Sequence, residues 1–260
     1  MSRKLNSLGV VVCSLFFFGS SADAAMLIAR WEFETSGSLG LDSTANANHG
    51  TVNGDVTQVA GKNGQGAFFD GTGDFISKTN LSGGYTAGSG GYTFAAWVRH
   101  DPAASGFDAI ITQGVGTGFT FRLLLNSADT LYVNSVGEAD RTLTGNTISD
   151  NVWTHVVMTG EQSGPDRIGK VYLNGVLVNT FTQAGAVPSV GATHTTLIGG
   201  SDGGSAHQFR GVLDDVRVYQ GALTLGEIQT LASIPEPSSF ILIVLGASAI
   251  FRFRRLRGRS

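Results

Sequence analysis

Glu32 and Glu34 stand two residues apart in Trp31-Glu32-Phe33-Glu34, the spacing that puts two carboxyl groups on one face of a strand. Glycoside hydrolysis uses two carboxyl groups about 5 to 10 Å apart, so this is the pair to weigh first. No third acid follows in that stretch, and the pair alone does not make a glycosidase. The five histidines, His49, His100, His155, His194 and His207, are scattered, and none forms the His-x-His or His-x-x-x-His unit that holds a zinc ion. His155, two residues after Trp153 in a β-rich run, reads as a core or rim histidine. Gly37-Ser38-Leu39-Gly40 lacks the lysine and following helix of a phosphate loop, and no Gly-x-Ser-x-Gly elbow is present. The residues point to binding or structure rather than to an enzyme.

One acid stands out by its neighbours. Residues 209–219 alternate, placing Val212, Asp214, Val216 and Val218 on one face and Leu213, Asp215, Arg217 and Tyr219 on the other. A carboxylate among three valines has to be paired or bound.

The elements that must position these groups are short strands. The 260 residues include 37 glycines and 5 prolines and only 14% charged side chains, a composition of strands joined by tight turns, with no long amphipathic helix. In 92–99, Tyr92, Phe94, Ala96 and Val98 oppose Thr93, Ala95, Trp97 and Arg99, and an aromatic on each face predicts a central strand. Residues 118–125 and 129–136 predict a hairpin around Asn126-Ser127-Ala128, and 153–159 a further strand. Residues 170–178 carry Asn174-Gly175, the pair suited to a type I′ turn. Thr224-Leu225-Gly226-Glu227 has the form of a capping box, opening one or two helical turns with Leu225, Ile228 and Leu231 on one side.

Both ends carry a different signature. Arg3 and Lys4, an apolar stretch at 8–18 and Ala22-Asp23-Ala24 predict a cleaved secretory signal peptide at 1–24. Cys13, the single cysteine, lies inside it, so the remaining chain can form no disulfide. Residues 233–239 read as a linker containing Pro235, Glu236 and Pro237. After it, 240–260 predicts a short transmembrane helix and a tail with Arg252, Arg254, Arg255, Arg257 and Arg259. Twelve apolar residues reach only about 18 Å as a helix against a hydrocarbon core of about 30 Å, so the anchor is marginal and the arginine stems must snorkel. Between the two signatures, residues 25–234 hold 10 Lys and Arg against 18 Asp and Glu, a formal charge of −8. That balance excludes the basic stripe a nucleic-acid partner requires.

Residues 25–232 resemble the laminin G-like, concanavalin A-like jellyroll family. The resemblance rests on motifs that occur in the family's order: Trp31-Glu32-Phe33, Asp42-Ser43 with Asn46, Asn48-His49-Gly50, Gly61-Lys62-Asn63-Gly64, Phe69-Asp70-Gly71 with Asp74-Phe75, Trp97-Val98, Trp153-Thr154-His155-Val156, Val171-Tyr172-Leu173-Asn174-Gly175, Ile198-Gly199-Gly200, Phe209-Arg210-Gly211, 213–219 and Ala222-Leu223. It implies an all-β fold of two antiparallel sheets packed face to face, with the chain's ends meeting on one sheet. It also implies a lectin-like function, glycan-binding or adhesive. The glucanases of this fold carry a Glu-x-Asp-x-x-Glu strand, which is absent here.

The family often holds a structural Ca²⁺ where the ends meet, and the oxygens this chain offers are those of Asp42, Asn48 within the 46–50 turn, and Asp214 or Asp215. The same residues read equally well as a Gly/Asn-rich turn satisfying its own backbone, with Asp214 or Asp215 paired to Arg217 or Arg210. Sugar binding would need an exposed aromatic platform, for which Phe107, Phe119, Tyr132 and Phe209 are candidates. Sandwich cores use such residues too, so no sugar site is singled out.

The C-terminal segment resembles the PEP-CTERM sorting signal of Gram-negative bacteria. That resemblance implies an exosortase-type protease as partner, transit through the inner membrane, and a destination at the cell surface or in the exopolysaccharide matrix. Partners there would be extracellular polysaccharide or other surface proteins.

Overall fold

A computed structural model describes residues 24–83, 90–102, 106–115, 118–135, 141–187, 194–201 and 206–233, with backbone alone at 115, 118–120, 134 and 135. The signal peptide expected at 1–24, but for its last residue, the Pro235-Glu236-Pro237 motif and the anchor expected at 240–260 lie outside these residues. Among the described residues no helix is long and apolar enough to cross a membrane.

Period-two alternation becomes two antiparallel sheets. In chain order the strands are β1 (Met26–Trp31), β2 (Thr51–Asn53), β3 (Thr57–Ala60), β4 (Gln65–Asp70), β5 (Phe75–Thr79), β6 (Tyr92–His100), β7 (Phe107–Val115) and β8 (Gly118–Asn126). They continue with β9 (Thr130–Ser135), β10 (Arg141–Thr147), β11 (Thr154–Ser163), β12 (Asp166–Leu173), β13 (Val176–Ala184), β14 (Thr195–Ile198) and β15 (Arg210–Gln220), and end in one helix, α1 (Leu225–Ala232). One sheet runs β13-β12-β11-β6-β15-β4-β3, with β1 also on β15. The other runs β10-β9-β8-β7-β14-β5-β2. β6 is central, between β11 and β15, as its two apolar faces predict. The hairpins at β8–β9 and β12–β13 also form as expected, the latter through Asn174 at φ 50° and Gly175 at φ 79°.

The core lies between the sheets. Phe94 of β6 stacks on Phe121 of β8 with ring centroids 3.9 Å apart, and Tyr92 joins them 5.7 Å from Phe121. Each such buried ring contributes roughly 1.5 to 3 kcal/mol. A second apolar layer covers the opposite face of the first sheet, where Ile228 of α1 packs with Ala95, Val157, Tyr172, Tyr219 and Leu223. The capping box forms as written: Thr224 Oγ1 accepts from Glu227 N, and Glu227 Oε2 accepts from Thr224 N. Leu225 departs from expectation. It stays 48% exposed at the first helical position while Ile228 alone is fully buried.

β15 departs from simple alternation. Its register against β6 shifts between Asp214 and Arg217, and Asp215 takes φ 48°. An extra residue in one strand turns the following side chains over. Asp214 therefore shares the outer face with its partner Trp97, while Val216 and Val218 rejoin Leu213 in the core. The expected row of Asp214 with Val216 and Val218 does not exist. On its other side β15 pairs first with β4 (210–213) and then, past the bulge, with β1 (216–220), so the first and last strands are neighbours as the resemblance implies.

Candidate functional site

The loop after β1 carries Asp42, which is 3% exposed and bridged to Trp31. Its Oδ1 accepts from the N–H groups of Arg30 and Thr44, both at 2.9 Å. Its Oδ2 accepts from Asn48 N–H at 2.7 Å and Thr44 Oγ1 at 2.8 Å. Asn48, fully buried, donates its amide to the carbonyls of Ile28 and Ser82 and accepts from Ser82 N–H. Asp214 belongs to a separate unit, its Oδ2 accepting from Asn63 N–H at 2.9 Å. Four donors fill the lone pairs of the Asp42 carboxylate, so the donor chemistry around Asp42, Asn48 and Asp214 suits a satisfied loop and does not fit a shared calcium ion.

The outer face of the first sheet concentrates charge. Asp215 Oδ1 accepts from Arg30 Nε at 2.7 Å and Arg217 Nε at 2.9 Å, and its Oδ2 from Arg217 Nη2 at 2.6 Å. Burial disfavours the Asp215 carboxylate, but the hydrogen bonds from Arg217 and Arg30 outweigh it and hold the group below its usual range. Asp214, 1% exposed, shows no guanidinium partner of that kind among the described residues. Burial pushes it up to about 7, with the Asp215 charge adding to the effect and Asn63 N–H opposing it. His155, across Trp97 from Asp214, is lowered to about 4 by burial, and its Nδ1 has no hydrogen-bond partner among the described residues. Its ring lies 5.0 Å from that of Trp97, while Lys62 Nζ sits over the other ring of the pair, 5.0 Å from the indole.

Glu32 and Glu34 do not share a strand face. β1 ends at Trp31, and Phe33 takes φ 59°, which breaks the alternation between them. Glu32 pairs with Arg30, and Glu34 accepts from Gln65 N–H at 3.1 Å. Of the aromatics, Phe209 is a core residue with its ring edge-on to Phe69, and Tyr132 is 7% exposed against half-buried Phe107, 4.7 Å away on the outer face of the second sheet. The side chain of Phe119 lies outside the described residues. Concave surface is found instead beside the Asp42 loop, where Ser38, Leu41, His49 and Val52 line an open groove of about 340 Å³. Leu41 and Val52 are 40% and 38% exposed there. Gly40 and Gly50 make the two walls meet, since a Cβ on Gly40 would collide with the Gly50 carbonyl that it faces.

A second constellation escapes sequence reading. His100, the last residue of β6, is fully buried, and its Nε2 lies 2.6 Å from Asp108 Oδ2 of β7. Its Nδ1 faces Asp129 Oδ1 of the β8–β9 turn and Asp150 Oδ1 of the β10–β11 turn, both at 3.2 Å. Burial opposes the charged imidazole, but the three carboxyl groups outweigh it and raise His100 above its ordinary value. No spacing in the chain announces this group, because its members come from four separate elements up to 50 residues apart.

Residues 70–229 match the concanavalin A-like lectin/glucanases superfamily. The chain belongs to that superfamily. Domain 4 of AbnA, an extracellular arabinanase from Geobacillus stearothermophilus solved in complex with arabinotriose, is similar at 23% identity and a TM-score of 0.64, over 81% of this chain and all of that one. The botulinum neurotoxin serotype G binding domain shares 13% identity over 79% of this chain and 50% of its own, with a TM-score of 0.59. Trypanosoma rangeli sialidase follows at 20% identity over 79% of this chain and 32% of its own, with a TM-score of 0.57. These likenesses are of fold. Among curated sequences, adhesion G-protein coupled receptor V1 of Danio rerio is 24% identical over 152 residues, 55% of this chain. The match spans 2% of that receptor's length.

Proposed function

We propose that this superfamily member is a non-catalytic, carbohydrate-binding module of the cell surface or exopolysaccharide matrix, which takes its sugar in the groove between 38–41 and 49–52. The observation that carries the reading is that groove: exposed aliphatic surface from Leu41 and Val52 beside the hydroxyl of Ser38 and the imidazole of His49, the mixture a sugar's two-sided character demands. The likeness in fold to a whole arabinanase domain solved with arabinotriose supports it. Glu32 and Glu34, engaged by Arg30 and Gln65 N–H, support a binding role over hydrolysis. Delivery would use the signal peptide at 1–24 and the PEP-CTERM-like segment around Pro235, Glu236 and Pro237, with an exosortase-type protease as the processing partner and the 240–260 helix as the anchor in transit.

The test is retention of the protein on immobilised arabinotriose and on the exopolysaccharide of the producing cells. Retention of wild type and its loss in Val52→Asp support the reading. Passage of a folded wild type through both columns, or equal retention of the variant, counts against it. A second reading, adhesion to other surface proteins, is favoured by the similarity to an adhesion receptor. Cross-linking on intact cells to proteins rather than to glycan would select it.

A further inference from the structure

We propose that His100, Asp129 and Asp150 form a binding site for a first-row divalent transition cation of the zinc type, clamping one end of the sandwich. The His100 imidazole is the centre of the group. Both of its nitrogens face carboxyl oxygens, and an oxygen that only accepts cannot satisfy a bare nitrogen lone pair. The 2.6 Å contact to Asp108 places the ring proton on Nε2, so the Nδ1 lone pair points between Asp129 and Asp150. A positive centre must lie there, either a second ring proton shared with Asp150 or a metal ion that takes its place. Imidazole oriented by a carboxylate on its far nitrogen is the second-shell arrangement that metal-binding histidines use.

The distances suit an ion. Nδ1 is 3.2 Å from each oxygen, close to the edge of about 3.3 Å that a tetrahedron has when its ligands lie about 2 Å from the centre. All three ligand atoms fall within 4.8 Å of one another. His100 is fully buried and cannot swing away, whereas Asp129 and Asp150 lie on turns with side chains 27% and 34% exposed, leaving an open side for entry and for water as a further ligand. Among the described residues every ion pair made by Asp108, Asp129 and Asp150 is with His100, so no lysine or arginine does the neutralising work.

Ligand type selects the metal. One nitrogen and two carboxylates suit zinc and its neighbours, whereas calcium takes six to eight oxygens and shuns imidazole. The site differs in place and chemistry from the oxygen set around Asp42. It joins β6 of one sheet to the β8–β9 turn of the other, so the ion would tie the two layers together.

The full-length protein, stripped with a chelator, is titrated with zinc chloride alone and followed by calorimetry and melting temperature. One equivalent bound with a rise in melting temperature is expected, with no comparable rise from calcium chloride. The double variant Asp129→Asn/Asp150→Asn should keep its circular dichroism and bind zinc at least tenfold more weakly. Should that variant fail to fold, Asp150→Asn alone, on an exposed turn, is read the same way. Absence of zinc binding by folded wild type overturns the proposal, as does undiminished binding in the folded variant. Because the readout is metal rather than sugar, its failure leaves the glycan test untouched.

Discussion

Asp214 of β15 and His155 of β11 meet the same indole from opposite sides: each is the direct cross-strand partner of Trp97. Both are almost fully buried, and burial moves them in opposite directions, the acid up to about 7 and the imidazole down to about 4. The row thus prefers to be neutral.

The sign of the pH dependence follows. Asp214 holds a proton in the folded state that the unfolded chain sheds near pH 3.8, so its burial costs stability progressively from there to about pH 7 and in full above it. The displacement of about three pKa units corresponds to roughly 4 kcal/mol as an order of magnitude. His155 works the other way. Its neutral form is favourable above the ordinary histidine value of 6.5, and that contribution is lost as pH falls through about 4. Asp214→Asn should therefore melt higher than wild type above about pH 7 and show a flatter slope between pH 5 and 8. Parallel melting curves for the two proteins across that range would falsify the assignment.

Removing the charge of Asp215 strands the Arg217 guanidinium and leaves Arg30 with Glu32 alone. Asp215→Asn should lose about 3 to 5 kcal/mol, chiefly because buried Arg217 keeps its desolvation cost without its carboxylate partner. Asparagine tolerates the positive φ of this position, so the loss measures the ion pair rather than the backbone. Urea unfolding at neutral pH reads it, and a loss under 1 kcal/mol would mean that water already screens the cluster.

Phe121 is the ring through which the two sheets touch Phe94 and Tyr92 together. Truncation to alanine should cost about 3 to 5 kcal/mol. Chemical denaturation with an unchanged dependence on denaturant would show a cavity in an otherwise intact fold. A cost near zero would contradict the stacking.

Tyr92 lies against Gly160 of the neighbouring strand so closely that an added Cβ would overlap the phenol ring. Gly160→Ala should displace the ring, change the near-ultraviolet circular dichroism and destabilise by about 1 to 3 kcal/mol. In wild type, burial pushes the Tyr92 hydroxyl up to about 12, so one tyrosine should stay silent in an ultraviolet alkaline titration until that range or until unfolding. Ionisation of every tyrosine near pH 10 in the folded protein would contradict the placement.

The strands of the core were legible wherever local chemistry agreed with period two. Asn174-Gly175 announces its turn because asparagine and glycine accept the positive φ values found there. Asp214 among valines was also a true signal, but of something else. The anomaly marks the bulge at Asp215, and a fixed alternation cannot show where an extra residue enters. Asp42 and Asn48 could be read as metal ligands or as a self-satisfied turn, since the same atoms serve either role until the donors around them are seen. The His100 group is illegible for a different reason. Its residues are acids of β7 and of two turns and one strand-end histidine, and only the packing of the sheet that holds β6 against the sheet that holds β7 to β10 brings them together.

The pairing of β1 with β15 has a mechanical consequence. Met26 lies directly opposite Gln220, and Ala25 rests against Gly221, so the chain enters its first strand and leaves its last at one corner before α1 turns back over the sheet. In an antiparallel pair held in this way, tension between the two ends, once it has pulled α1 off the sheet, peels hydrogen bonds apart one after another instead of shearing them all at once. A domain tethered by both flanks would yield at low force, from the corner inward, while one tethered by a single flank would bear no load across its sheets at all.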